Sequence, residues 1–186
     1  IGAGIGFGRG GGEAGFFARF AAGGCRFAAL GIGGGVNQDM MVVNDMILRA
    51  AHEQAIHALI VRVGWAIDHT DLAELASCLH PDVVFVRPDG QALQGPQAVC
   101  DAYAQRNPDH MTRHLLSNLH LTWSSPDQVQ AHTTVLLWTG CLSSAKTAAG
   151  RPADPVQKLG EHRDVLAFEA GRWWLLRRQS EFVFFR

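Results

Sequence analysis

Lysine is nearly absent: Lys146 and Lys158 are the only two in 186 residues, against fourteen scattered arginines. With a net charge of −1 and no clustered cations, nothing points to nucleic acid as a partner. Cysteine is scarce as well. Cys25, Cys78, Cys100 and Cys141 lie far apart without a C-x-x-C pair, which excludes a disulfide scaffold or a cysteine-based zinc site. A reducing, cytoplasmic setting is the simplest expectation. No run of eighteen apolar residues occurs, so no membrane-spanning segment is expected.

Glycine is unevenly spread, and fourteen of the 21 fall in residues 1–35. "GFGRGGG" contains G-x-G-x-x-G at Gly6, Gly8 and Gly11, but a dinucleotide loop needs a buried strand before it and a helix after it. Glycines also interrupt the apolar core that a signal peptide would need in "FFARFAAGGCRFAALGIGGG". Residues 1–40 are therefore expected to be a flexible, Gly-rich extension, with "QDMM" offering alternative starts at Met40 or Met41. Residues 41–186 are expected to form one domain, since 47% hydrophobic content suffices for a single core.

From about Asn44 the pattern becomes orderly. His52, Ile56, Leu59, Ile60, Val63 and Ile67 recur at steps of three and four, which predicts an amphipathic helix ending near "AIDHTD". "DLAELASCLH" predicts a short second helix, capped by Asp71 and stopped by Pro81. "DVVFVRPDG" reads as a strand with its turn, and "GPQAVCDAYAQR" as a third helix opened by Pro96. The period then changes to two. "RHLLSNLHLTW", "QVQAHTTVLLWTGCL", "KLGEHRDVLAFEA" and "RWWLLRRQSEFVFF" predict four long strands, so the fold class is α+β: a cone-shaped curved antiparallel sheet wrapped around three N-terminal helices, with an interior pocket. Strict alternation along residues 110–123 would put His114, Leu116, Asn118 and His120 on one face.

Four motifs in this order resemble the nuclear-transport-factor-2-like superfamily, in particular its SnoaL-like (polyketide-cyclase-like) members. They are "WAIDHTDLAEL" with "LHPDVVF", "LQGPQAV", "TRHLLSN" and the closing "GRWWLLRR", together covering roughly residues 45–184. The resemblance implies a scaffold that hosts dehydratases, isomerases and cyclases as well as non-catalytic modules. In the dehydratase and dehydrochlorinase branch, an Asp at the matching helix end and a His in the matching strand form a catalytic dyad, which "AID" and "TRH" carry over to Asp68 and His114. A neutral imidazole takes a proton from carbon near pH 7, and a carboxylate on its other nitrogen fixes the tautomer.

Substrate-binding candidates are His162, as a hydrogen-bond donor to a substrate oxygen, Asn118, as a carbonyl partner, Trp65 and Trp138, as pocket walls, and Arg178, as an anion site or structural ion pair. Scytalone-type dehydratases use pocket tyrosines, and this chain has only Tyr103, on the third helix. "HMTRH" is H-x-x-x-H but lacks the acid of a zincin, so no metal is expected. The leading expectation is a cofactor-free lyase or isomerase acting on a small hydroxylated or ketonic apolar molecule. The alternatives are the small subunit of an aromatic-ring-hydroxylating dioxygenase, which would need a Rieske-type large subunit, and a stand-alone binding protein. A homodimer or homotrimer is expected, with Trp174, Leu176, Val135 and Leu137 on an apolar outer sheet face.

Overall fold

The computed structural model describes residues 34–186. The "GFGRGGG" segment and most of the expected Gly-rich extension lie outside the described residues. Helix α1 (Gly34–His69) starts well before the expected position near Asn44, and Met40 and Met41 are exposed on it. Val42–Arg186 form one compact unit. In that unit the 3–4 spacing of Ile56, Leu59, Ile60, Val63, Ala66 and Ile67 gives α1 one continuous buried stripe. Each large aliphatic chain in the stripe contributes roughly 1.5–3 kcal/mol by leaving water.

The chain leaves α1 through a left-handed residue. Thr70 has φ 54°, and the Asp71 amide returns to the Ala66 carbonyl at 2.9 Å, the signature of a Schellman cap. Asp71 then caps α2 (Leu72–Cys78), its Oδ1 accepting from the Glu74 amide at 3.0 Å. β1 (Leu79–Val86) begins directly after α2, ahead of Pro81. Pro81 is tolerated because the pairing of β1 shifts register between Leu79 and Val84, where no ladder bond is required of it. A turn at Pro88–Gly90 leads to β2 (Ala92–Gln94), and Pro96 opens α3 (Gly95–Ala104) at a position where the missing N–H costs nothing.

The four period-two segments form β3 (His110–Ser125), β4 (Gln128–Cys141), β5 (Lys158–Glu169) and β6 (Arg172–Phe185). They belong to one curved, open six-stranded sheet in the order β2-β1-β6-β5-β4-β3. The pairing is antiparallel except between β1 and β6, which run parallel because the last strand returns beside the first. Bulges at Ser117–His120, Leu159–Gly160 and Val165–Leu166 bend the strands and increase their twist. The inner face of the sheet packs on α1, α2 and α3 through Leu75, Val83, Phe85, Val99, Leu166 and Leu175. No helix among the described residues is long and apolar enough to cross a membrane.

Two expectations about faces change. Asn118 adopts φ 52° and sits in the bulge, so the alternation flips there. Leu116 and then Leu119, Leu121 and Trp123 pack on the core, while Asn118 and His120 are exposed. Asparagine tolerates the left-handed region better than most side chains, which suits it to this position. Val135 and Leu137 face the interior, Val135 only 4% exposed, so neither belongs to an outer apolar face.

Candidate functional site

Asp68 lies in the last turn of α1, and His114 lies four residues into β3. The helix end and the strand start meet through three hydrogen bonds to one carboxylate. His114 Nδ1 lies 2.6 Å from Asp68 Oδ1, the His114 amide donates to Oδ2 at 2.8 Å, and Thr112 Oγ1 donates to Oδ1 at 2.8 Å. The Asp68 side chain is 7% exposed and that of His114 is 15% exposed. Burial by itself raises the Asp68 pKa. The hydrogen bonds and positive charge of His114, with the Thr112 hydroxyl, outweigh it and hold the carboxyl below its ordinary value. An ionised Asp68 can only accept, so Nδ1 carries the hydrogen of the neutral ring and Nε2 carries the lone pair.

His114 lines a cavity of about 610 Å³ at the open end of the sheet. Ile67, Phe85, Val135, Leu137 and Phe182 supply apolar wall, which suits a small, mostly apolar ligand. His162 reaches the same cavity from β5, and its Nδ1 is 3.0 Å from the hydroxyl of Ser180 across the strand pair. Burial, with the neighbouring charges of Arg178 and His114, pushes the His162 pKa well below its ordinary value, so this imidazole is neutral at pH 7.

Tyr103, the single tyrosine, also lines the cavity, edge-on to Phe85 with ring centroids 6.2 Å apart. Burial pushes its pKa up, against the pull of Arg178, Arg106 and Arg87, and keeps the phenol protonated. Sequence reasoning missed Tyr103, Ser180, Arg106 and Lys158 as cavity residues. For Ser180 a signal existed, because strand alternation puts it on the face of Arg178. For Tyr103 and Arg106 none did, since their place depends on how α3 docks against the sheet.

The other expected binding residues lie elsewhere. Arg178 is 1% exposed and makes a two-pronged ion pair with Asp164, Nε to Oδ1 at 2.8 Å and Nη2 to Oδ2 at 2.6 Å. Burial disfavours its charge, but Asp164 more than compensates and raises its pKa. Both hands of the guanidinium fork that face Asp164 are thus used inside the sheet, and Arg178 does not line the cavity. Trp65 is 52% exposed and stacks on His69 with centroids 4.2 Å apart, away from the cavity. Trp138 points outward between its inward neighbours Leu137 and Thr139 and borders a separate cleft of about 110 Å³ with Arg151 and Pro152. Asn118 is exposed in its bulge, outside the cavity lining. Among the described residues no three His, Cys, Asp or Glu side chains cluster as metal ligands.

The comparisons with known proteins agree with this architecture. No curated protein matches the chain. Among solved structures it is similar to hexachlorocyclohexane dehydrochlorinase LinA-type3 from Novosphingobium barchaimii LL02, with 20% identity over 74% of this chain and 90% of that one and a TM-score of 0.63. It is also similar to a protein of Novosphingobium aromaticivorans assigned as a scytalone dehydratase, with 17% identity, 74% and 88% coverage and a TM-score of 0.61. A third is a protein of Streptomyces avermitilis assigned as a dehydratase of the NTF2-like family, with 16% identity, 72% and 97% coverage and a TM-score of 0.62. At such identities the likeness concerns the fold alone. The SnoaL-like domain model matches residues 49–179, well over half of the sequence, and the chain belongs to the SnoaL-like family.

Proposed function

We propose that the protein is a lyase or isomerase that works by general acid–base catalysis on a small hydroxylated or ketonic molecule, with His114 as the base and Asp68 as the residue that positions it. The observation that carries this reading is the 2.6 Å contact between Asp68 Oδ1 and His114 Nδ1, which turns the basic Nε2 of a cavity-lining imidazole away from its carboxylate. In the reaction, Nε2 removes a proton from carbon beside an electron-withdrawing group, and the C–H electron pair forms a carbon–carbon double bond. For elimination, the hydroxyl on the neighbouring carbon departs with its bonding pair and takes the proton from the imidazolium, leaving as water. For isomerisation, the carbonyl π pair moves onto its oxygen as the new double bond forms. The resulting enolate re-forms the carbonyl while a different carbon takes the proton back from the imidazolium. Asp68 stabilises the imidazolium in between.

His162 suits the role of partner to the substrate oxygen. A neutral imidazole tied to Ser180 can exchange a hydrogen bond with a carbonyl or hydroxyl without adding a second positive charge beside His114. Dehydratases and a dehydrochlorinase among the structural neighbours support the same class of chemistry.

The test is a panel of β-hydroxy ketones and unsaturated ketones in D2O, followed by NMR for deuterium incorporation at carbon and for loss of water. Turnover by the wild type that falls by about 10²–10⁴ in His114→Gln is expected of a general base. Turnover that survives His114→Gln unchanged would remove His114 from the mechanism.

A further inference from the structure

The cavity lining contains cations that the acid–base reading does not use. Lys158, one of only two lysines, and Arg106 both line it. Neither has a carboxylate within ion-pair distance among the described residues. Each instead lies over an aromatic face: the Lys158 ammonium is 4.8 Å from the Phe182 ring centroid, and the Arg106 guanidinium is 5.5 Å from that of Tyr103. Both rings belong to the same cavity. The carboxylates nearby are engaged elsewhere. Asp154 accepts the Thr139 hydroxyl, Glu161 holds His132 and Arg163, and Glu181 holds Arg163. The third cation on the lining, Arg87, is tied to Gln91 and Asp89.

Register fixes where Lys158 stands relative to the base. His114 pairs with Leu137, and Leu137 pairs with Lys158, so the three lie side by side across β3, β4 and β5. Two inter-strand steps put the His114 and Lys158 backbones roughly 10 Å apart. Directly opposed residues share a face, and all three line the cavity.

We propose that the cavity takes a carboxylate-bearing small molecule with an apolar body, its carboxylate held by Lys158 and Arg106 while its reacting carbon meets His114. The identity of the reacting partner rests on the acid–base reading above, whereas the anion preference does not. Aromatic support holds both cations in place before the ligand arrives and strips water from one side of each, so the anion meets a preorganised pair. A monoanion suits the site better than a phosphate dianion. Arg106 sits just past the C-terminus of α3, where the helix presents partial negative charge.

Calorimetry on the full chain with arylalkanoates of two to five carbons, 4-phenylbutyrate among them, and their methyl esters tests this directly. At least one acid is expected to bind about tenfold or more tightly than its ester, with affinity falling as salt rises. Lys158→Met and Arg106→Gln should each weaken the acid and leave the ester unchanged, and Lys158→Arg should restore most of the preference. Esters that bind as well as acids, acids indifferent to both variants, or no binding by any acid at millimolar concentration would overturn the proposal. An acid preference that persists in Asp68→Asn, in a protein that turns over no hydroxy or keto compound, would leave the anion site standing and the acid–base reading refuted. Turnover of neutral ketones at an unchanged rate in Lys158→Met, with no acid preference, would do the reverse.

Discussion

Replacing Asp68 by Asn removes one charge and almost no volume, and the geometry dictates how the site responds. The carboxylate accepts three hydrogen bonds, two at Oδ1 from Thr112 and the His114 ring and one at Oδ2 from the His114 amide. An amide offers one acceptor atom. With its oxygen in the Oδ1 position, the NH2 group would face the His114 backbone N–H, donor against donor. With its oxygen in the Oδ2 position, that amide stays satisfied and the NH2 group donates to His114 Nδ1, moving the ring hydrogen to Nε2. The second arrangement is the better satisfied one and is the one expected. Losing a charge-assisted bond and disturbing the Thr112 hydroxyl costs about 2–4 kcal/mol at a site this buried. That is a large part of the roughly 5–15 kcal/mol that holds a domain folded, but the variant should still fold.

The pH dependence follows from the lowered Asp68 pKa. The native state holds this proton less tightly than the unfolded chain, so the stabilisation is complete above the unfolded value of roughly 3.9 and is lost as pH falls through the native value. Urea unfolding followed by tryptophan fluorescence should therefore show the wild type more stable than Asp68→Asn at pH 7, with the gap narrowing below about pH 4. A gap under about 0.5 kcal/mol at pH 7, or one that does not shrink in acid, would refute this account of the carboxylate.

Three further substitutions probe the frame around the site. Asp164→Ala strands the Arg178 guanidinium at 1% exposure and should cost about 3–5 kcal/mol in urea unfolding, whereas replacing both partners by apolar residues should cost clearly less. A Cβ on Gly160 would stand 2.5 Å from the Glu181 carbonyl oxygen, where β5 and β6 approach at a bulge. Gly160→Ala should therefore destabilise by about 1–3 kcal/mol and be visible as a lower urea midpoint. Ala170 and Gly171, at φ 50° and 79°, form the two-residue turn between Glu169 and Arg172, the geometry that Asn-Gly satisfies best. Ala170→Asn should raise the unfolding free energy by about 0.5–1 kcal/mol, and a decrease would contradict the turn assignment.

The strands were legible because their alternation is long, and α3 because a proline in a helical pattern is tolerated only in the first turn, where Pro96 stands. The Asp68–His114 contact was reached through family resemblance, since nothing in local spacing joins a helix end to a strand 46 residues later. The face of Asn118 was misread, although the apolar phase does shift there, from Leu116 to Leu119, Leu121 and Trp123. A three-residue step across a residue at ease with positive φ is what a bulge writes into a sequence. The start of α1 was misplaced because residues 38–50 are exposed almost throughout and so carry no burial stripe. Tyr103, Arg106 and Lys158 escaped notice for a different reason. Their shared cavity is created by packing among α3, β5 and β6, and no one-dimensional pattern encodes that meeting.

The tautomer of His114, read from long-range 15N–1H NMR correlations at a pH where the ring is neutral, tests the central claim most directly. The account predicts hydrogen on Nδ1 and a lone pair on Nε2 in the wild type, and the opposite tautomer in Asp68→Asn. Hydrogen on Nε2 in the wild type, or the same tautomer in both proteins, would contradict it.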